Sequence, residues 1–171
     1  MSLKHLNALL EKTGHYDKDE RYMATNDLCT ELQKDLRIDE NMERRICTAI
    51  LKQLDDASND VQSVAVKCLG ALVKKVQLQQ LLEISEKLSK LIVEGRAELL
   101  DIYSIGLKTL IQDVPDDVGK DVSKLLAQRL LNGISREGSS DDVKRECMDN
   151  LADLLRRFGH LISNEPRAIM T

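Results

Sequence analysis

The chain has 171 residues and a mass of 19.3 kDa, and its 25 Lys and Arg face 29 Asp and Glu, for a net charge of −4. Of its residues, 42% are hydrophobic and 28 are Leu, whereas Trp is absent, Phe occurs once and Tyr three times. All-β folds need many turns and favour aromatic and β-branched residues, so two prolines and eight glycines exclude them in favour of an all-α fold. No apolar run reaches the length of a membrane span or resembles a signal peptide, so we expect an intracellular chain without membrane contact.

Four amphipathic helices are predicted in chain order, because apolar residues recur there at three- and four-residue steps. They cover residues 3–13, 40–54, 78–93 and 118–134. Gly14 follows the first of them, and Pro115 lies in the loop before the last. Both residue types are typical of helix ends.

A second helix is predicted after each of these, with its apolar face centred on one leucine. The central leucines are Leu28, Leu69, Leu107 and Leu151, which are 41, 38 and 44 residues apart. We expect these four leucines to share one buried seam, since no single helix pair can bury its own apolar face. Asp17, followed by Glu20, is predicted to cap the first of these helices, and Ser139 or Ser140 the last.

The period of about 40 residues predicts an α-solenoid of about four antiparallel helix pairs. The approximate repeats are 1–36, 37–76, 77–115 and 116–160, and residues 161–171 would begin a further repeat. Solenoids normally end in a polar capping repeat, so we expect this stack to be truncated at its C-terminal end. Gly70 and Gly106 fall inside second helices, where glycine is unfavourable, and we expect a neighbouring helix to approach closely at each.

No catalytic or metal-binding pattern stands out, so we expect neither an enzyme nor a cofactor. The three histidines, His5, His15 and His160, do not lie in a nucleophile context, and no phosphate-binding glycine loop is present. The cysteines Cys29, Cys47, Cys68 and Cys147 are 18, 21 and 79 residues apart, which is not a zinc-binding spacing. We expect all four thiols to be buried and reduced.

Stacked helix pairs offer a long curved surface, which favours binding to another protein. Polar or aromatic residues of the second helices, away from the leucine face, are the candidate contacts. They are Arg21, Tyr22, Asn26, Gln62, Lys67, Lys108, Lys144 and Arg145. Nucleic-acid binding through the basic pairs Arg44–Arg45 and Lys74–Lys75 is an alternative, but a pI near 5.5 argues against it.

Several segments resemble the cullin-associated, neddylation-dissociated protein family. They are residues 9–12 (LLEK), 17–28 (DKDERYMATNDL), 30–35 (TELQKD), 65–70 (AVKCLG) and 104–109 (SIGLKT). These segments match the amino-terminal repeats of that family in order and spacing, and residues 22–28 are distinctive for it.

The resemblance implies HEAT repeats, which wind as a right-handed solenoid, and a regulator of cullin–RING ubiquitin ligases. Members of the family bind a cullin that lacks its ubiquitin-like modifier, grip its C-terminal region and its RING subunit, and promote exchange of substrate receptors. The resemblance therefore implies a cullin–RING partner and a cytoplasmic and nuclear location. The family is much longer than this chain, so we expect this chain to contact the cullin–RING end without displacing the adaptor. A HEAT or armadillo module that serves transport or transcription is the alternative.

Overall fold

The computed structural model describes residues 3–34 and 37–162, and within these ranges the chain is α-helical, without a strand. The helices are α1 (Leu3–Lys12), α2 (Lys18–Leu32), α3 (Glu40–Gln53), α4 (Asn59–Val73), α5 (Leu78–Glu94), α6 (Leu100–Asp113), α7 (Gly119–Ser135) and α8 (Asp141–Ile162). Short 3-10 helices, Ala97–Leu99 and Asp116–Val118, lead into α6 and α7. The predicted all-α class is confirmed, and α1, α3, α5 and α7 agree with the four predicted first helices within one residue at either end.

Short polar side chains cap the starts of α2 and α8, as the sequence predicts. The Asp17 carboxylate accepts a hydrogen bond from the backbone N–H of Asp19 at 2.9 Å, and Ser140 Oγ accepts one from the N–H of Val143 at 3.2 Å. Each bond satisfies an amide that has no partner within its own helix. Of the two serines predicted to cap α8, Ser140 therefore does so.

The chain divides after Gln80 into two compact units. In the first unit, α1 packs on α2 and α3 packs on α4, while α2 also packs on α4 and α1 on α3. First helices thus contact first helices and second helices contact second helices, which is the two-layer order of an α-solenoid. Leu28 and Leu69, the predicted central leucines of α2 and α4, are completely buried in this core.

The second unit, from Leu81 onward, repeats the same order of helices. Here α8 packs on both α6 and α7, and ion pairs link α5 to α7. The Nε of Arg129 lies 2.8 Å from a carboxylate oxygen of Glu86, and Arg136 Nη1 lies 3.0 Å from one of Glu94. Leu107, the third central leucine, is completely buried.

Leu151, the fourth predicted central leucine, is only half-buried, which corrects the predicted register of α8. The buried face of α8 consists instead of Cys147, Asn150, Leu154, Phe158 and Ile162, which follow one another at three- and four-residue steps. Asn150 can occupy the central position because its amide nitrogen donates to Ser104 Oγ and to the carbonyl oxygen of Glu146, both at 2.9 Å. A polar residue whose amide nitrogen is hydrogen-bonded therefore takes the place that the leucine pattern predicts for Leu151.

Arg157 fastens α8 to the end of α6 and the loop that follows it. Its guanidinium donates to the carbonyl oxygens of Ile111 and Val114, and it pairs with Asp116 at 2.9 Å. Carbonyl groups at the end of a helix have no intrahelical donors, so one arginine satisfies two of them.

The repeat boundaries predicted from the sequence remain predictions, as does the continuity of one seam through both units. Residues 161 and 162 are the last of α8, and the rest of the predicted further repeat, 163–171, lies outside the described residues. Gly70 and Gly106 are buried in α4 and α6.

Candidate protein-binding surface

Arg21 and Gln62, two of the predicted contact residues, lie together at the loop that precedes α4. Arg21 forms two hydrogen bonds with the carboxylate of Asp56, at 2.8 and 3.1 Å. Its remaining nitrogen donates to the carbonyl oxygens of His15 and Tyr16. The Gln62 amide donates to the backbone oxygen of Asp56 at 2.7 Å. Arg21 thus joins the two helix pairs of the first unit, and Gln62 fastens the loop that precedes its own helix.

Asp56 is ionised at this junction because its partners outweigh its burial. Burial alone would raise the pKa of the carboxyl group. The hydrogen bonds from Arg21 and from the backbone N–H of Ser58, together with the charge of Arg21, instead hold that pKa below its ordinary value. The Asp56 side chain is 7% exposed and that of Arg21 18%, so this pair is partly buried.

Tyr22, Asn26 and Lys67 lie on the outer side of the second helices of the first unit. Tyr22 is 41% exposed, Asn26 follows it one turn later on α2 and is half-buried, and Lys67 is exposed on α4. Because α2 packs directly on α4, these side chains come from neighbouring helices.

Lys108, Lys144 and Arg145 lie on the second helices of the second unit. Lys108 on α6 pairs with Asp153 on α8 at 3.6 Å, and Arg145 pairs with Asp142 of its own helix at 3.1 Å. Lys144 is half-buried near the start of α8. An open groove of about 510 Å³ between α6 and α8 is lined by Lys108, Ile111, Gln112, Asp153, Arg156 and Arg157.

Large apolar side chains also stand exposed on the second helices, and the sequence analysis missed most of them. Met23 is 58% exposed on α2, Ile105 is 48% exposed on α6, and Met148 and Leu155 are 52% and 37% exposed on α8. Among the described first helices, the structure exposes only Leu3 of this class. Exposed methionine and aromatic residues are enriched where proteins bind one another. A helical wheel centred on Leu28 or Leu107 would have placed Met23 and Ile105 away from the core.

A buried polar network supports the outer face of α6 and α8. Ser104 Oγ donates to a carboxylate oxygen of Glu146 at 2.5 Å and accepts from the Asn150 amide. Ser104 and Asn150 are buried and Glu146 is half-buried, so the bonds fix the register between α6 and α8.

The basic pairs that favoured the nucleic-acid alternative lie elsewhere and are engaged within the chain. Arg44 lies 3.6 Å from Glu40, Arg45 donates to the Asn7 side chain at 2.7 Å, and Lys75 donates to the Lys34 backbone oxygen at 2.6 Å. Arg44 and Arg45 line a groove of about 650 Å³ between α1 and α3. Arg44 and Arg45 lie on α3 and Lys75 directly follows α4, so these positive charges are divided between the two helix layers of the first unit.

The four cysteines are buried, as predicted, and the structure places them as free thiols. Residues 3–34 and 37–162 hold no group of three His, Cys, Asp or Glu side chains that could bind a metal ion. None of the helices within those ranges is both long enough and apolar enough to cross a membrane.

No family model matches the chain. Comparison with individual known proteins, however, finds a group of similar sequences. In an alignment of 163 positions that covers 90% of this chain, it is 44% identical to Cullin-associated NEDD8-dissociated protein 1 of Dictyostelium discoideum. In an alignment of 174 positions that covers 99% of this chain, it is 36% identical to the protein of that name in Arabidopsis thaliana. A protein of Emericella nidulans, described as the N-terminal part of Cullin-associated NEDD8-dissociated protein 1, is 41% identical over 66% of this chain. The chain spans 13% of the Dictyostelium relative, 14% of the Arabidopsis one and 34% of the Emericella one.

Proposed function

Because the chain belongs to the cullin-associated NEDD8-dissociated protein family, we propose that it is a non-catalytic scaffold that binds a cullin. The observation that carries this proposal is the identity of 36–44% with relatives whose names state cullin association, over at least 90% of this chain. Because this identity extends over the helix pairs, we infer that the chain and its relatives share a binding surface.

We propose two surfaces for the partner, the outer face of α2 and α4 in the first unit and the outer face of α6 and α8 in the second. Met23 is exposed on the first face, and Ile105, Met148 and Leu155 are exposed on the second, which gives each face apolar side chains of the kind that a protein interface requires. The polar network below α6 and α8 fixes the second face, which lowers the entropic cost of binding.

We further propose that the partner is the C-terminal region of an unmodified cullin together with its RING subunit, and that the chain acts in the cytoplasm and nucleus. The support is the resemblance of residues 17–35 and 65–70 to the amino-terminal repeats of the family. In the whole protein this contact would contribute to exchange of substrate receptors. A fluorescent fusion checks the location, and confinement to one compartment would contradict that part.

A binding assay with purified cullin–RING complex, with and without the conjugated modifier, tests the proposal. We expect the chain to bind the unmodified complex and to lose affinity when the modifier is attached. The double variant Met23→Ser with Met148→Ser should weaken binding about tenfold or more, because both side chains are exposed on second helices.

Leu3→Ser is the matched control, since Leu3 is 57% exposed but lies on a first helix. It should leave the affinity unchanged. Equal weakening by Leu3→Ser, or none by the methionine variant, would overturn the assignment of the surface. Absence of binding to the unmodified complex would overturn the function itself.

A further inference from the structure

A groove with a volume of about 650 Å³ runs between α1 and α3, the two first helices of the first unit. Its walls combine apolar and small polar side chains, since Leu10 is buried, Ala49 is half-buried and Thr48 is exposed. The faces proposed for the cullin lie on second helices, so this groove is a separate surface. A ligand of the groove is therefore independent of the proposed function.

Positive charge is concentrated along this groove. The described residues that line it include three cations, Arg44, Arg45 and Lys52, but a single carboxylate, that of Glu11. The chain as a whole carries a net charge of −4, so the groove is a local exception. Arg45 and Lys52 are seven residues apart on α3, which is about two turns, so both lie on the same side of the helix.

The contacts that these cations make within the chain leave them available to a carboxylate from outside. Arg45 donates to the side-chain oxygen of Asn7 at 2.7 Å, and this uncharged partner does not neutralise the guanidinium. Arg44 lies 3.6 Å from Glu40, but the two side chains are 53% and 65% exposed, and such a pair is weak in water. Lys52 is exposed in the last turn of α3.

We propose that the groove between α1 and α3 binds an extended acidic peptide segment of a second protein. Arg45 and Lys52 are separated by about 10 Å along the helix axis, and an extended peptide advances about 3.3 Å per residue. A short segment with several Asp or Glu residues can therefore bring one carboxylate to each of these cations. The methyl and methylene groups of Ala49 and Leu10 lie in the same groove and give the peptide an apolar contact as well.

The charge of the chain favours an acidic peptide over a nucleic acid as the occupant. Nucleic-acid affinity depends on the number of phosphates that Lys and Arg neutralise, and proteins that bind nucleic acids normally carry a broad basic surface. Here the cations are confined to one groove in a chain with a pI near 5.5, which repels a long polyanion. A few spaced carboxylates match the three cations without bringing further negative charge near the rest of the chain.

Fluorescence anisotropy with a fluorescein-labelled peptide in which Glu alternates with Ser tests the proposal on the full chain. A peptide with Gln in place of Glu is the uncharged reference. We expect the acidic peptide to bind about tenfold or more tightly than the Gln peptide, and its affinity to fall severalfold between about 0.05 and 0.3 M salt. Equal affinity for the two peptides would overturn the proposal.

Charge reversal locates the binding. The double variant Arg45→Glu with Lys52→Glu should weaken binding of the acidic peptide about tenfold or more, because attraction at two positions becomes repulsion. Lys18→Glu with Lys87→Glu is the matched control, since it changes the net charge equally at two exposed positions outside the groove. Circular dichroism checks that both variants remain helical. Equal weakening by the two variants would mean that the peptide responds only to net charge, and would overturn the assignment of the groove.

Two further measurements distinguish this site from the alternatives. Zero-length cross-linking of the peptide carboxylates to lysine amines, followed by digestion, should modify Lys52, and modification confined to lysines outside α1 and α3 would overturn the proposal. A single-stranded oligonucleotide that bound more tightly than the acidic peptide would assign the groove to nucleic acid instead. Arg45→Glu with Lys52→Glu should keep its affinity for the cullin–RING complex, and a loss there would overturn the groove as a separate site.

Discussion

Asp56 is the acceptor through which Arg21 of α2 is joined to the loop before α4. Asp56→Ala leaves the guanidinium of Arg21, whose side chain is 18% exposed, without its two charged hydrogen bonds and removes the acceptor of the Ser58 N–H. We expect the free energy of unfolding to fall by about 2–3 kcal/mol at pH 7, measured by urea denaturation.

The pH dependence of this loss follows from the lowered pKa of Asp56. A carboxylate whose pKa is lower in the folded state stabilises the fold fully above its unfolded pKa, near 4. That stabilisation disappears as the pH falls through the folded pKa. The gap between wild type and Asp56→Ala should therefore be constant from about pH 5 to 8 and narrow below about pH 4. Asp27→Ala, at an exposed position of α2, should show neither effect, and an equal gap at pH 7 and pH 3.5 would contradict the account.

Position 119 needs glycine because a neighbouring side chain packs against it, and not because of its backbone conformation. Its φ of −59° suits any residue, but an added Cβ would lie 2.4 Å from a ring carbon of the buried Phe158. We expect Gly119→Ala to lower the free energy of unfolding by about 1–3 kcal/mol, because the packed ring must move.

Gly159→Ala is the counterpart within α8, since its nearest neighbour would be 4.0 Å from the new Cβ. It should raise the free energy of unfolding by about 0.5–1 kcal/mol, because alanine favours helix over glycine. Opposite signs for the two substitutions in thermal or urea denaturation are the expected result. Stabilisation by Gly119→Ala would show that the contact with Phe158 is not tight.

At the scale of the element, the register of α8 is the feature most open to measurement. Leu154 is completely buried and Leu151 only half-buried, although the repeat pattern treats both as core residues. We expect Leu154→Ala to cost about 2–5 kcal/mol of unfolding free energy and Leu151→Ala clearly less, since cavity cost follows burial. Urea denaturation of both variants checks this, and the reverse order would restore the leucine-centred register.

Helix positions were predictable because local signals agree at each end. Asp17 and Ser140 cap as expected, and the apolar periodicity of the first helices fixes their bounds within one residue. The error at α8 arose because its core face is centred on Asn150, whose partner Ser104 is 46 residues away in the chain. No pattern within α8 reveals that the amide nitrogen of a polar residue is bonded to another helix.

The helices that carry the candidate surface could be named from the sequence, but the types of residue exposed there could not. All eight predicted residues lie on second helices, yet Arg21 and Gln62 turned out to meet at Asp56, because a loop contact is invisible to helical periodicity. Met23 and Met148 were missed because a search for polar and aromatic residues passes over them, although both are more than half exposed. Apolar residues off the leucine face therefore belong in a search for a candidate interface alongside polar and aromatic ones.

At the scale of the whole molecule, the chain is much shorter than the relatives that it matches, and this difference in length leads to a prediction about what it can do alone. The chain covers only 12–14% of the full-length relatives that it matches from Dictyostelium, Drosophila and Arabidopsis, so it offers a correspondingly small part of any surface on which they bind. Under the proposed function, cullin binding and release of a substrate receptor are separate tasks, and we expect release to need a further contact that competes with the adaptor. We expect this chain to compete with a full-length relative for the unmodified cullin–RING complex, but not to release a labelled receptor module by itself. Release is checked by fluorescence anisotropy of the labelled receptor, measured first with saturating chain and then with the full-length relative. Only the relative should raise the dissociation rate of the receptor. Faster release by the chain alone would place the exchange activity within these helix pairs.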